Sequence, residues 1–577
     1  MKLKAGLEIH QQLDCKKLFC ECDSYDITED LTFTRKLHVT SSEMGTIDIA
    51  AKAEGIREFT YFNKSCNCLV YTDEEPPRGP NREAIEIALQ FAKLVGANIV
   101  EEMHFMRKVV VDGSNTSGFQ RTALIATGGE IEYENGTIEL DQICLEEDSC
   151  RHGENKDEYL LDRLGIPLLE IATKPQLKKP EQVQNAARAL GRLLRACRVK
   201  RGLGTIRQDV NISIDGGERV ELKGFQDLST MAQVVKNEVN RQKNLSNISK
   251  AKVGNVVDIS EILWLNSSYN NEEAMACKIS GWKGLLGNKK SEKEHPRLGK
   301  ELSEYAKKSG LKGIMHSDEL PNYGIEKHDV EMIMKELECD EEDSFVLVLG
   351  EEKIARKGLE MVRKRAGQGG VPKEVRRVTL EKDTVFLRPM PGASRMYPET
   401  DIPPMTLNNI KVKIPKTLDQ RENEIPLNDE ESKQIVSGNL DEEFYNLSKI
   451  YNNPQILSRL LLHTLPNLEN DENRIIDKES ITKVLELVKN DKIAKEGIEI
   501  ALVQASMDEE IEIKNENIEA EVTKFINELV KEKIEFVKEK GMEAIGPLMG
   551  PVMSEYRGKM DGAKINKILI KSIKEII

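Results

Sequence analysis

Apolar and polar positions alternate through residues 3–12, where Leu7 and Ile9 share one face and Glu8 and His10 the other, the two-residue period of a strand. Alternation or short apolar runs predict further strands over 131–140, 210–214 and 220–223. A helical period takes over from about 180 to 198. Pro180 suits its first turn, and Gly202 and Gly204 follow its end. A polar break at Asn266-Ser-Ser-Tyr-Asn-Asn-Glu272 opens a stretch in which a strand pattern at 344–349 alternates with a helical one at 353–365. Residues 388–404 are Pro-rich and punctuated as a loop, and from about 420 the pattern is helical to the end. This ordering predicts an α+β multidomain protein. A mixed or antiparallel sheet domain occupies 1–267 and 386–420, an inserted α/β domain 268–385, an all-α helical domain 421–510, and a helical tail domain 511–577.

The length, 577 residues, agrees with three or four domains at roughly 150 residues each. Hydrophobic residues make up 39% and charged ones 32%, the balance of a water-soluble globular chain. No run of about 18 apolar residues suggests a membrane span, and the N-terminus enters the first strand pattern without a signal-peptide core. The expected location is therefore cytoplasmic, with no membrane partner.

A net charge of −15 argues against indiscriminate binding of nucleic acid, so the distribution of charge decides. Between Lys174 and Arg207 there are ten Lys or Arg and one acid, Glu181. Arg188, Arg192 and Arg195 recur at helical spacing on one face, which suits either RNA phosphate or a salt-bridged surface. A weaker cluster, Arg557, Lys559 and Lys564, lies in the tail. Cys20-Glu-Cys22 and Cys66-Asn-Cys68 offer four thiolates, the number a structural zinc site needs. Buried free cysteines would read the same way.

Candidate chemistry gathers on the polar sides of the strands: Glu8 and His10, then Glu170, then Asp209, Asn211 and Ser213, then Glu221 and Lys223, with Glu146-Glu147-Asp148 nearby. In one sheet these would supply oxygen ligands for Mg²⁺ and a Lys to neutralise phosphate, the equipment of phosphoryl transfer. A half-solvated sheet face is the plainer alternative for any single strand. The Gly, Ser and Thr-rich stretch Val111–Arg121, with Gly118 and Gln120, could cradle phosphate or be an ordinary loop. There is no Walker A sequence and no complete G-x-G-x-x-G, so a P-loop or Rossmann site is not expected. The His-x-Gly-His and Lys-Met-Ser-Lys-Ser signatures of a class I synthetase are also missing; the Gly-Gly-Ser-Ser-Gly-Gly amidase signature and a cysteine in a glutaminase setting are missing too, so ammonia, if used, must be made by another chain.

Six stretches together resemble the B/E family of glutamyl-tRNA(Gln) amidotransferase subunits. They are Gly6-Leu-Glu-Ile-His10, Lys36-Leu-His-Val-Thr-Ser-Ser-Glu-Met-Gly45, Leu145-Glu-Glu-Asp148, Gly165-Ile-Pro-Leu-Leu-Glu-Ile171, Arg207-Gln-Asp-Val-Asn-Ile-Ser-Ile214 and Tyr397-Pro-Glu-Thr-Asp-Ile-Pro403. Asp73-Glu-Glu-Pro-Pro77 and the insertion resemble the archaeal E branch. The insertion is similar to that of bacterial-type aspartyl-tRNA synthetase through Met315–Gly324 and Gly370–Arg376. The tail is similar to a small stand-alone helical family through residues 544–553 and 558–566.

The resemblance implies a kinase-like cradle that uses ATP and Mg²⁺ to turn Glu-tRNA(Gln) into Gln-tRNA(Gln) through a γ-glutamyl phosphate. It implies ammonia from an asparaginase-like D subunit, a heterotetramer of two D and two E subunits, and a tail that helps grip tRNA. His10, Glu147 and Glu170 with Glu8 are the expected Mg²⁺ set, His10 either as ligand or as a positioning group. Lys223, Gly118, Gln120, Asp209 and Asn211 are expected at the nucleotide. A non-catalytic tRNA-binding scaffold and, from the insertion alone, an aminoacyl-tRNA synthetase relative that forms an adenylate are the rival readings.

Overall fold

In the computed structural model the described residues are 2–23, 31–39, 41, 45–47, 57–63, 68–134, 136–225, 227–264, 273–287, 298–392, 395–398, 401–472, 475–490, 492–507, 511, 518–556 and 560–576. Cys66, Arg557 and Lys559 lie outside them, as does part of the Lys36–Gly45 motif. The chain forms two compact units, residues 1–415 and 416–577. Among the described residues no helix is long and apolar enough to cross a membrane.

A 12-stranded sheet dominates the first unit. Its strands run in the order Thr384–Pro389, Glu374–Val378, Val220–Lys223, Ile206–Ile214, Leu3–Gln12, Pro167–Thr173, Gly136–Glu147, Phe119–Thr127, Phe105–Val109 and Met396–Tyr397, with Asn98–Ile99 and Glu130–Tyr133 attached beside this path. Pairing along the path is antiparallel except between Val220–Lys223 and Glu374–Val378. Strand alternation sorts the side chains: Leu7, Ile9, Ile143, Leu145, Leu169, Ile171, Val210 and Ile212 are all buried in one core. Three amphipathic helices, Arg82–Leu94, Pro180–Leu194 and Met231–Leu245, contribute to that same core. The opposite face of the central strands is left to polar groups.

Two expectations change. Residues 131–140 are not one strand but the two arms of a hairpin, with Tyr133 opposite Gly136. The sequence at this point, Glu134-Asn135-Gly136, contains the Asn-Gly dipeptide that favours tight strand reversal. The helix expected to reach 198 ends at Leu194, where Arg195 caps it and Cys197 and Val199 turn inward.

The insertion holds a four-stranded sheet in the order Val257–Asp258, Ala274–Ile279, Ser344–Leu349, Met315–His316. Both its faces are buried: Met275, Cys277, Val346 and Val348 join the main core, while Ala274, Ala276, Phe345 and Leu347 form a second one with Ile333 and Leu337. The chain re-enters the main sheet at Glu374, before the boundary expected at 386. Two sequence-remote strands pair in parallel there, which no local pattern announces.

A buried ion network welds the insertion to the main sheet. Arg241, on helix Met231–Leu245, reaches Glu301 at 2.6 Å, Glu374 at 2.8 Å and Glu238 at 2.8 Å. Arg376, 1% exposed, holds Glu374 and Glu304, each at 2.8 Å. The second unit is helical, with one core from Leu418 to Ile511 and another from Val522 to Ile573.

Burial alone would raise the Glu301 carboxyl, but Arg241 and Arg376 overcome it and hold it below the ordinary range. A depressed carboxylate contributes stability above its unfolded value, about 4.3, and loses it as pH falls towards the folded value. Glu301→Gln should therefore cost about 3–5 kcal/mol at neutral pH. In urea titrations the gap between wild type and variant should narrow between about pH 5 and pH 3; a gap that does not depend on pH would contradict the charged assignment.

Candidate active site

Register puts the candidate residues side by side. His10 pairs with Glu170 on one flank and Arg207 on the other, and Glu8 pairs with Asp209. Paired residues share a face, so Glu8, His10, Glu170 and Asp209 point into the polar side of the sheet. His10 Nε2 lies 3.5 Å from Glu146, 3.8 Å from Glu8 and 3.8 Å from Glu170. Possible ligand atoms of His10, Glu146 and Glu170, and separately of Glu8, His10 and Asp209, fall within 4.8 Å of one another.

Glu147 is not in this cluster. The strand Gly136–Glu147 carries a one-residue irregularity at Asp141, opposite Ala172 and Thr173. Extending the alternation from Ile138 and Leu140 would bring Glu147 to the polar face. The irregularity shifts the phase, so Ile143, Leu145 and Glu147 turn to the other side and Cys144 and Glu146 face His10. The three consecutive acids thus have three settings. Glu146 meets His10. Glu147 accepts from the Arg121 backbone N–H at 2.9 Å and lies 3.4 Å from its guanidinium. Asp148, fully buried, binds Arg207 at 2.6 Å, Arg163 at 3.2 Å and the Gln12 amide at 2.7 Å.

Lys108, which sequence reasoning did not single out, sits among the carboxylates. Its ammonium is 3.0 Å from Glu146 and 3.5 Å from Glu170. It comes from Phe105–Val109, where Arg107 and Lys108 are adjacent. The only signal was a charged pair in an otherwise apolar strand. Lys223 is the second cation, 2.5 Å from both Asp209 and Glu221. Both ammonium groups are held above their ordinary range, because the facing carboxylates outweigh burial.

Burial, opposed by Lys108, raises Glu146 to about 8, whereas Lys108 and His10 overcome burial at Glu170 and bring it to about 2. The pair therefore favours one proton or one extra cation between its members. Burial also raises Glu8. Five carboxylates (Glu8, Glu146, Glu170, Asp209 and Glu221) share this region with two lysines, which contact all of them but Glu8. Oxygen donors with unbalanced negative charge suit a hard divalent cation.

Other expected residues are placed differently. Asn211 stands between Gly6 and Glu221 in register, half-buried. Gln120 lies opposite Lys108, but its side-chain amide donates to the Glu147 carbonyl at 2.7 Å. Gly118 has φ +77°, and its carbonyl accepts from Val110. In the same loop Ser114, Thr116 and Ser117 use their hydroxyls on Asp112, the Tyr71 carbonyl and the Phe119 carbonyl. These hydroxyls serve loop structure, and so do the Ser114 and Gly118 amides, which donate to Asp112 and to the Asn115 carbonyl.

Asp401 lies with Glu147 on the other side of the sheet, 2.8 Å from Arg121 and 3.1 Å from Arg107. Cys20, Cys22 and Cys68 converge, their sulfurs within 4.8 Å of one another. On the basic helix Arg188 is exposed, and Arg192 and Arg195 are half-buried. Lys564, in the second unit, lies in the first turn of helix Gly562–Lys574.

The chain is similar to known proteins along its length. Residues 3–413 match the family model of the GatB/GatE catalytic domain, and residues 442–573 that of the GatB domain. The chain is 41% identical to the E subunit of glutamyl-tRNA(Gln) amidotransferase from Thermococcus gammatolerans, covering 100% of this chain and 98% of that one. Against the corresponding protein of Methanocaldococcus jannaschii identity is 41%, with 100% and 99% covered. Against that of Pyrococcus furiosus it is 42%, with 95% and 94% covered. The chain belongs to the GatB/GatE family, among the archaeal glutamyl-tRNA(Gln) amidotransferase E subunits.

Proposed function

We propose that this chain performs ATP-dependent amidation of Glu-tRNA(Gln), and that the carboxylate–lysine face around His10 is where it occurs. The observation that carries the reading is the convergence of Glu8, His10, Glu146, Glu170 and Asp209 with Lys108 and Lys223 on one half-buried face. A glutamate side chain resists ammonia because oxide is a poor leaving group. One carboxylate oxygen attacks the γ-phosphorus of ATP, the bond to ADP breaks, and a γ-glutamyl phosphate forms. Ammonia then attacks the acyl carbon, phosphate leaves, and the attacking nitrogen loses a proton. The first step is dominated by positioning and charge neutralisation.

Mg²⁺ would be held by Glu146, Glu170 and Glu8 with His10, and would neutralise charge on the transferring phosphoryl group. Glu146 takes the place expected for Glu147, which instead supports Arg121. Lys108 and Lys223 balance phosphate charge from either side of that set. Arg207, fixed by Asp148, borders it. The partner is an asparaginase-like D subunit that releases ammonia, in an assembly of two D and two E subunits. Arg188, Arg192 and Arg195, with tail residues Arg557, Lys559 and Lys564, contact tRNA phosphates.

The testing experiment incubates the purified chain with ATP, ammonium chloride and Glu-tRNA(Gln). ADP and Gln-tRNA are the expected products without any partner; neither product from a preparation that still binds the tRNA would favour the scaffold instead. Lys108→Met should lower tRNA-dependent ATP use at least about 100-fold, on the scale of losing one preorganised charge at a transition state. Unchanged turnover would remove Lys108 from the site.

Cys20, Cys22 and Cys68, with Cys66 two residues away in sequence, are proposed to hold structural zinc. Burial raises the Cys20 and Cys22 thiols, so metal rather than pH would have to draw off their protons. Metal analysis should find one zinc per chain, lost in Cys20→Ser together with several degrees of thermal stability; a metal-free wild type of equal stability would reject the site.

A further inference from the structure

Leu203 is a large apolar side chain standing wholly in solvent. It tops the short connection between helix Pro180–Leu194 and strand Ile206–Ile214, flanked by Gly202 at φ +109° and Gly204 at φ +82°. Exposed leucines are common, but this one sits on an anchored mount. The buried Gln11 side-chain amide donates to the carbonyls of Lys200 at 3.0 Å and Thr205 at 3.2 Å, one on each side of the tip. Backbone bonds Gln12 N to Thr205 O and Lys200 N to Gln12 O, both within 3.0 Å, tie the same loop to the first strand. The Thr205 hydroxyl donates to the Gly202 carbonyl at 2.8 Å and closes the turn. The strand that carries His10 therefore holds the loop directly, and the loop holds Leu203 out.

Position and charge identify what meets it. Arg207 pairs with His10, and Leu203 is four residues earlier, no more than about 14 Å of chain away. The segment around it, 174–207, has ten cations to one acid. Arg195 accepts at its backbone carbonyl from Arg201, gathering two guanidinium-bearing residues at the base of the tip.

A glutamate esterified to the end of an RNA brings the last unpaired nucleotides of that RNA wherever its carboxyl goes. An apolar side chain fixed beside arginines offers a base a surface to lie on and its phosphates a charge, which is how single-stranded RNA is held without sequence readout. We infer that the Gly202-Leu203-Gly204 tip docks the unpaired 3′ end of the acceptor RNA and so sets the glutamyl carboxyl against the His10 cluster. This rests on the amidation reading above and names the residue that positions its substrate.

Leu203→Ser tests it in the full chain, since an exposed side chain can be changed without loss of fold. Leu380, an exposed leucine in the turn before strand Thr384–Pro389, gives the control Leu380→Ser. The probes are an RNA hairpin with an unpaired 3′ extension and the same hairpin blunt-ended. Wild type and Leu380→Ser should prefer the extended hairpin, and Leu203→Ser should lose about five- to tenfold of that preference, within the range of one base contact. Its KM for Glu-tRNA(Gln) should rise by a similar factor with kcat and thermal midpoint little changed. Equal preference in Leu203→Ser and wild type would overturn the tip's role while leaving the amidation reading intact. Normal RNA preference combined with weakened binding of the ammonia-supplying partner would overturn it in favour of a protein contact. A wild type that binds neither hairpin would overturn the tip's role, while the amidation reading falls only if Glu-tRNA(Gln) yields neither ADP nor Gln-tRNA.

Discussion

Mutual repulsion among carboxylates is the constraint around which the first unit is organised. At about 4 Å and the effective dielectric of a protein surface, two like charges repel by about 4 kcal/mol. Glu8, Glu146 and Glu170 all lie within 3.8 Å of one imidazole nitrogen. Lys108 and Lys223 offset part of that repulsion, and burial of Glu146 transfers the remainder into a raised carboxyl. A face so charged is poor structure by itself and needs a rigid backing. The apolar sides of the same strands supply it, through a core shared with three helices.

The region around the face serves the same end. Arg121 and Arg107 neutralise Glu147 and Asp401 behind the sheet, and Arg207 with Arg163 neutralises Asp148 at its margin. The Arg241–Glu301–Glu374–Arg376 network fixes the insertion to the sheet edge. There three arginines, Arg241, Arg365 and Arg376, meet four buried or half-buried glutamates, Glu238, Glu301, Glu304 and Glu374, at close range. Around His10 two lysines share a face with five carboxylates, and under the proposed function that excess of negative charge is where a cation would be received.

Much of this was legible in strand alternation. Glu8 with His10, Glu170 between apolar residues, and Asp209 with Lys223 all emerge on the face that their sequence period assigns. Glu146 was not separable from Glu147, because a single irregularity at Asp141 decides the phase of the whole strand end. Lys108 was hidden because its importance comes from two strands that are distant in sequence. The return of the chain to the sheet at Glu374 was hidden likewise, since parallel pairing across the insertion leaves no local mark. The hydroxyls of the Gly, Ser and Thr-rich loop looked free in sequence, yet Thr116 and Ser117 are bonded to nearby carbonyls.

The most direct measurement compares divalent-cation binding by Glu146→Gln and Glu147→Gln, using Mn²⁺ as a spectroscopic probe in the presence of ATP. The account predicts that Glu146→Gln loses the bound cation while its fold persists. Glu147→Gln should retain the cation and lose stability, because Arg121 forfeits a buried partner. Cation loss in Glu147→Gln with retention in Glu146→Gln would contradict the assignment of the polar face, and with it the proposed site.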